Sequence, residues 1–74
     1  MRLCDLRIGH RGVVIALNSV GGMRRRLLDI GLIEGTTVEC VGRSPGGDPA
    51  AYLIRGAVIA IRDRDSADIL IERV

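Results

Sequence analysis

The apolar residues of this chain fall into short runs, such as residues 13–17 and 57–61, that reach five positions and go no further before asparagine, arginine or glycine intervenes. A membrane-spanning helix needs about 20 consecutive apolar residues, so no run here is long enough for one. β-Branched residues dominate several of the runs, and turn residues close them at short intervals, which is the pattern of a small β domain rather than of a helical bundle. A chain of 74 residues builds a single core, and the expectation is one domain over residues 1–74. Hydrophobic residues make up 47% of the sequence, enough material for that core and too much for a disordered chain.

Residues 12–18 read as a first strand, with Val13, Ile15 and Leu17 facing inward by alternation. Asn18 or Ser19 is then placed to cap a helix. Residues 22–30 carry Met23, Leu27 and Ile30 at i, i+4 and i+7, a single helical face, and Gly31 offers a left-handed stop. The β-branched stretch 36–41 predicts a second strand with Val38 and Cys40 inward. Residues 44–49, Ser-Pro-Gly-Gly-Asp-Pro, are turn chemistry throughout. Around Gly56, residues 51–55 and 57–62 read as a tight hairpin with Tyr52, Ile54, Ile59 and Ile61 inside and the Tyr52 hydroxyl at the rim. A short turn at 63–67 leads to a last strand over 68–73, with Ile69 and Ile71 inward. At the start of the chain, Leu3 and Leu6 belong to an irregular lead-in and pack on the elements after it. Five short strands with one helix between the first and second predict a mainly β fold, an SH3-like small barrel whose closure removes exposed edges.

Every one of the eleven basic residues is arginine, which excludes the Walker A loop, Schiff-base chemistry and Ser-Lys dyads. The net charge is only +2 and the arginines are spread among the acids, so no nucleic-acid stripe is expected. Tyr52 is the sole aromatic residue, which leaves no stacking platform for single strands. Cys4 and Cys40 stand 36 positions apart without a CxxC pattern and read as reduced thiols. Charges at Arg2, Asp5 and Arg7 break up any secretory apolar region, and the expected location is the cytoplasm. No paired carboxylates, no nucleophile with a base and no metal triad can be assembled, so neither an enzyme nor a cofactor is expected.

The residues left as candidates sit on the helix and in the proline loop. Arg24, Arg25 and Arg26 lie about 100° apart around a helix, so Arg26 flanks the apolar stripe while Arg24 and Arg25 project outward. Arg25 can either meet a partner or pair with Asp29 one turn on, which is worth about 0.2–0.5 kcal/mol. Leu28 lies beside Arg24 and off the stripe, where a leucine next to arginine offers a docking element. Asp48 is either a fixed carboxylate for a partner or, like most aspartates in Gly/Pro-rich turns, bonded to its own backbone. Cys4 and His10 are weak metal candidates with no third ligand beside them.

The stretch Met23-Arg24-Arg25-Arg26-Leu27-Leu28-Asp29-Ile30-Gly31-Leu32-Ile33-Glu34-Gly35-Thr36 closely resembles a signature of the ferrous iron transport protein A (FeoA) family, R-x-x-L-x-x-L-G-[LM]-x-P-G-[ST]. In that family a Pro-x-Gly-Asp-Pro loop comes next, and residues 44–49 stand at the matching distance. The resemblance extends over nearly the whole chain. One departure is Glu34, where the family usually has proline, which loosens the turn before the second strand and adds a charge. The resemblance implies an SH3-like fold shared with the C-terminal domain of iron-dependent repressors. It also implies a small cytoplasmic accessory of the FeoB ferrous iron permease, binding its cytoplasmic GTPase region, modulating its GTP cycle or assembly, and reaching the membrane only through it. Arg24, Arg25, Leu28 and Asp48 are then the partner-binding candidates. The competing reading is a free-standing SH3-like metal-sensing or repressor-associated domain that binds a transition metal ion. The direction of any effect on GTP hydrolysis, and whether a weak homodimer forms, stay open at this level.

Overall fold

The computed structural model describes residues 1–74. After a 3-10 turn at Leu3–Asp5 come β1 (Arg11–Leu17), α1 (Gly21–Asp29), β2 (Thr37–Arg43), β3 (Ala50–Ile54), β4 (Ala57–Ile61), the single turn of α2 (Asp63–Ser66) and β5 (Ile69–Arg73). The strands form one antiparallel sheet in the order β4-β3-β2-β1-β5. It curls around a core that contains Leu3, Leu6, Leu27, Leu32, Tyr52 and Ile71, so the barrel predicted from the strand count forms with β4 and β5 as its two unjoined edges.

The edges are treated differently. Along β5 the chain's own start supplies a partner: the Met1 amine donates to Ile71 O at 3.0 Å, Ile71 N–H donates back to Met1 O at 2.8 Å, and Arg2 bridges Leu70. Nothing equivalent lies along β4, which pairs only with β3. The β3–β4 hairpin turns through Arg55 and Gly56, both at positive φ (+48° and +83°), the two-residue geometry whose twist matches the flanking strands. Its inward set is the predicted one, with Tyr52, Ile54 and Ile61 buried and Ile59 packed at the margin.

Three expectations need correction. In β1 the buried residues are Gly12 and Val14, whereas Ile15, expected inside, is 48% exposed. A bulge between Val14 and Ala16 in the pairing with β5 resets the alternation, so Val14 and Leu17, three apart, both reach the core side. Gly12 faces inward because Ile71 fills the space beside it, its Cδ1 2.7 Å from where a β-carbon would lie. At the start of α1 neither Asn18 nor Ser19 caps the helix: the cap position is Val20, with no side-chain bond, and the Ser19 hydroxyl is buried without a partner. The Tyr52 hydroxyl is not at the rim but enclosed, donating to Leu3 O at 3.4 Å.

The end of α1 obeys its sequence closely. Leu32 N–H donates to Leu27 O at 2.9 Å and Gly31 N–H to Leu28 O at 3.0 Å, the paired bonds of a Schellman stop, with Gly31 at φ +88° and both Leu27 and Leu32 buried. A side chain at Gly31 would strain the backbone at this φ and displace Arg55, which lies across it and donates from Nε to Gly31 O at 2.9 Å. No helix is long and apolar enough to cross a membrane.

Candidate functional site

α1 is anchored on one side and bare on the other. Leu27 is buried, and Met23 and Ile30 pack against the core beside it, which fixes the helix roll. That roll turns Arg24, Arg25 and Leu28 outward, where with Gly21, Gly22 and Asp29 they line a shallow concavity. Leu28 is 41% exposed and Val20, just before the helix, 79% exposed. The first turn holds no acidic residue, so the positive end of the helix dipole and the outward arginines act in the same sense. The Arg25–Asp29 pair that the spacing allows does not form. Arg24 bends back instead, donating from Nη1 to Leu17 O at the end of β1, so its guanidinium ties the helix to the sheet at the border of the concavity.

Asp48 stands apart from this face. Its Oδ1 accepts the backbone N–H of Asp63 at 3.0 Å and so ties the 44–49 loop to the first residue of α2. The carboxylate caps a helix fifteen residues away rather than its own turn, the local alternative that its neighbours suggested. The loop closes on itself without Asp48: Ser44 donates both N–H and Oγ–H to Pro49 O, each at 3.1 Å.

Cys4 and His10 offer little to a cation. The Cys4 thiol sits half-buried with Sγ 3.9 Å from Asp5 Oδ1, and burial, with the Asp5 charge beside it, pushes its pKa up. His10 is half-buried before β1, and its carbonyl accepts from Cys40 N–H at 3.1 Å. No three His, Cys, Asp or Glu side chains converge anywhere in the fold. Both cysteines are free thiols.

Sequence reasoning missed Arg43. At the end of β2 its Nη2 donates to Cys4 O at 3.0 Å and Leu6 O at 3.1 Å, and its Nη1 to Gly47 O at 3.2 Å. Nη1 also lies 3.6 Å from Asp63 Oδ1, an ion-pair distance that leaves that carboxylate oxygen without a hydrogen bond. One guanidinium thus joins the lead-in, the proline loop and α2. Its partners at residues 4 and 6 lie 39 and 37 positions away, with β1, α1 and most of β2 between, so no local spacing signals them.

The motif after α1 is a folding device. Thr36 Oγ1 donates to Gly31 O at 3.1 Å and accepts Ile33 N–H at 3.2 Å, while Thr36 N–H donates to Ile33 O at 3.0 Å across the Glu34-Gly35 turn. With Gly35 at φ +88° this is the type II arrangement, in which proline suits the position that Glu34 holds. The Glu34 N–H makes no backbone hydrogen bond outside the regular elements. Glu34→Pro is therefore expected to raise stability by about 0.5–1 kcal/mol, by restricting the unfolded chain. A urea titration checks it, and a lower midpoint in the variant would show that the turn requires another geometry.

Together these features define a small SH3-like β-barrel domain that carries one short helix with a free outer face. A family model described as FeoA domain matches residues 1–73, and the chain belongs to that family. It is 32% identical over 74 residues to the Fe(2+) transport protein A/Fe(2+) transporter FeoB fusion protein of Porphyromonas gingivalis, spanning 100% of this chain and only 9% of the length of that curated relative. Among solved structures, FeoA protein from Chlorobium tepidum superposes with a TM-score of 0.94 at 28% identity, covering 100% of this chain and 70% of that one. FeoA of Stenotrophomonas maltophilia, solved with zinc and described as a procaryotic SH3 domain protein, matches with a TM-score of 0.87 over 97% of this chain and 89% of that one. At 24% identity that last likeness speaks to the fold alone.

Proposed function

We propose that this chain is a small cytoplasmic accessory of ferrous iron uptake, which binds the cytoplasmic GTPase region of a FeoB-type permease and modulates its GTP cycle or assembly. The observation that carries this reading is the fusion in Porphyromonas gingivalis, where a segment like this chain and a transporter of that kind are one polypeptide. Covalent linkage holds two modules at high effective concentration, and it is retained usefully where they act on each other. On this chain the outer face of α1 is the surface suited to contact. Leu28 is its apolar centre and Arg25 its uncommitted charge, with Arg24 at the border. Asp48 holds the proline loop against α2 through one oxygen and stays exposed beside it. The metal-sensing alternative rests on Cys4 and His10, beside which no set of three such ligands converges.

The experiment is a titration of the purified cytoplasmic domain of a FeoB-type permease with this chain, monitored by calorimetry and by GTP turnover. Leu28→Asp is expected to weaken binding at least about tenfold, as loss of a central apolar contact does, while leaving the thermal midpoint within a few degrees because Leu28 is already 41% exposed. Undiminished binding by Leu28→Asp and by Arg25→Glu would remove α1 as the contact. No binding by the unaltered chain would remove the function proposed.

A further inference from the structure

We propose that the open edge of β4 and the cleft beside it form a second binding surface, which accepts an extended acidic segment of another protein as a sixth strand. The surface shares no residue with the concavity on the outer face of α1 and goes beyond the function proposed above. The first observation is the edge itself. In a two-residue hairpin the pair flanking the turn is hydrogen-bonded, here Ile54 with Ala57, and every second pair after it repeats the pattern. Val58 and Ala60 consequently direct their N–H and C=O groups away from β3, and no other element meets them. Sheets ordinarily guard such an edge with charge, proline or a covering segment. β5 is guarded in this way by Met1 and Arg2, but β4 reads Ala-Val-Ile-Ala-Ile, without a charge, and its Val58 is 64% exposed.

The second observation is the cleft of about 330 Å³ between α1 and β4, floored by Leu27, Ile30 and Ile59. Arg26 of α1 and Arg62 and Arg64 at the start of α2 stand on its walls against a single carboxylate, Asp65. None of the three guanidiniums has an ion-pair or hydrogen-bond partner in the protein. An added strand satisfies the outward amides of Val58 and Ala60 and sends alternate side chains toward the cleft. Apolar residues there meet the floor, and carboxylates two positions further along the same face meet the arginines.

The test uses a fluorescein-labelled eight-residue peptide with valine and glutamate alternating along one face and serine at every other position, its lysine counterpart, and the glutamate peptide N-methylated at alternate amides, each read by anisotropy against the intact chain. The glutamate peptide is expected to saturate, the lysine peptide not to bind, and the N-methylated peptide to lose at least tenfold. Arg62→Gln with Arg64→Gln is expected to weaken the glutamate peptide about tenfold, the scale of one or two charge-assisted bonds. Val58→Pro removes an outward donor without breaking a β3–β4 bond and is expected to abolish binding while an amide spectrum shows the fold retained. No saturation by the glutamate peptide, equal binding of the lysine peptide, or indifference to N-methylation would overturn the proposal. So would a dimer of the chain that Val58→Pro converts to monomer, since the edge would then be occupied by a second copy.

Discussion

Arg43→Ala is expected to lower the free energy of unfolding by about 3 kcal/mol, which for a domain of this size shifts the thermal midpoint by roughly 12–24 °C. Hydrogen bonds from a charged donor are each worth about 1.5–3 kcal/mol when buried, and their loss strands the acceptors. Truncation would leave Cys4 O, Leu6 O and Gly47 O without this donor and Asp63 without its counter-charge. The guanidinium side chain is 25% exposed, so water replaces part of the loss, which holds the figure below the sum of its bonds. Arg43→Lys separates charge from geometry. A lysine keeps the cation but not the planar fork that reaches the lead-in and the proline loop together, and about two-thirds of the loss is expected to remain. Differential scanning calorimetry of the three proteins decides it. A fall of less than about 4 °C for the alanine variant, the shift that roughly 1 kcal/mol produces, would mean that the lead-in and loop hold without Arg43.

What the sequence discloses and what it hides divide along the range of the interactions. The helix stop at Gly31, the Arg55-Gly56 hairpin and the inward sets of β3 and β5 are decided by residues within one or two turns of each other, and they fold as their local chemistry directs. The phase of β1 was not legible. Five consecutive apolar residues present both faces equally, and the choice is made by the bulge against β5, some fifty-five positions downstream. The helix cap failed for a related reason: Asn18 donates its N–H to Asp68 O at 2.8 Å, so the chain there is held by β5's approach and Val20 falls in the cap position.

The candidate site shows the same division. Helical spacing was enough to place Arg24, Arg25 and Leu28 on one outward surface. It was not enough to show that Arg24 is drawn to a β1 carbonyl, or that Asp48 serves α2, because each bond joins elements that become neighbours only in the folded sheet. The resemblance to the FeoA signature carried more than its spacing disclosed. Gly31, Gly35 and Thr36 of that signature form one connected set of bonds after α1, which makes the segment a device for leaving the helix and entering β2. Glu34 departs from the signature at the one position of that turn where proline contributes rigidity and no bond.

The chain is expected to lose about 2–3 kcal/mol of stability between pH 10 and pH 12, and Tyr52→Phe is expected to abolish most of that loss. Tyr52 is the sole aromatic residue and is fully buried, and burial raises its pKa from 10.0 to about 12. Its hydroxyl is enclosed with Leu3 O as acceptor, and the burial penalty on the charged form outweighs what the Ser66 hydroxyl and the Arg43 charge nearby return to it. Between the two values the unfolded chain releases a proton that the folded chain keeps. Unfolding then gains from rising pH: the contribution is whole below pH 10 and is lost as pH climbs through the folded value. Cys4, whose pKa burial also raises, adds a loss of the same sign at lower pH, so the comparison is made on Cys4→Ser in both backgrounds. Unfolding free energies from urea titration at neutral pH should differ by only about 1 kcal/mol between tyrosine and phenylalanine, since the 3.4 Å bond to Leu3 is long. At the alkaline end the order should reverse, with the phenylalanine variant the more stable. The tyrosinate absorbance band reports Tyr52 alone and should rise together with unfolding rather than before it. Parallel loss in both proteins, or ionisation near pH 10 in the folded chain, would place the hydroxyl in contact with water and contradict the enclosed core that Leu3 and Tyr52 share.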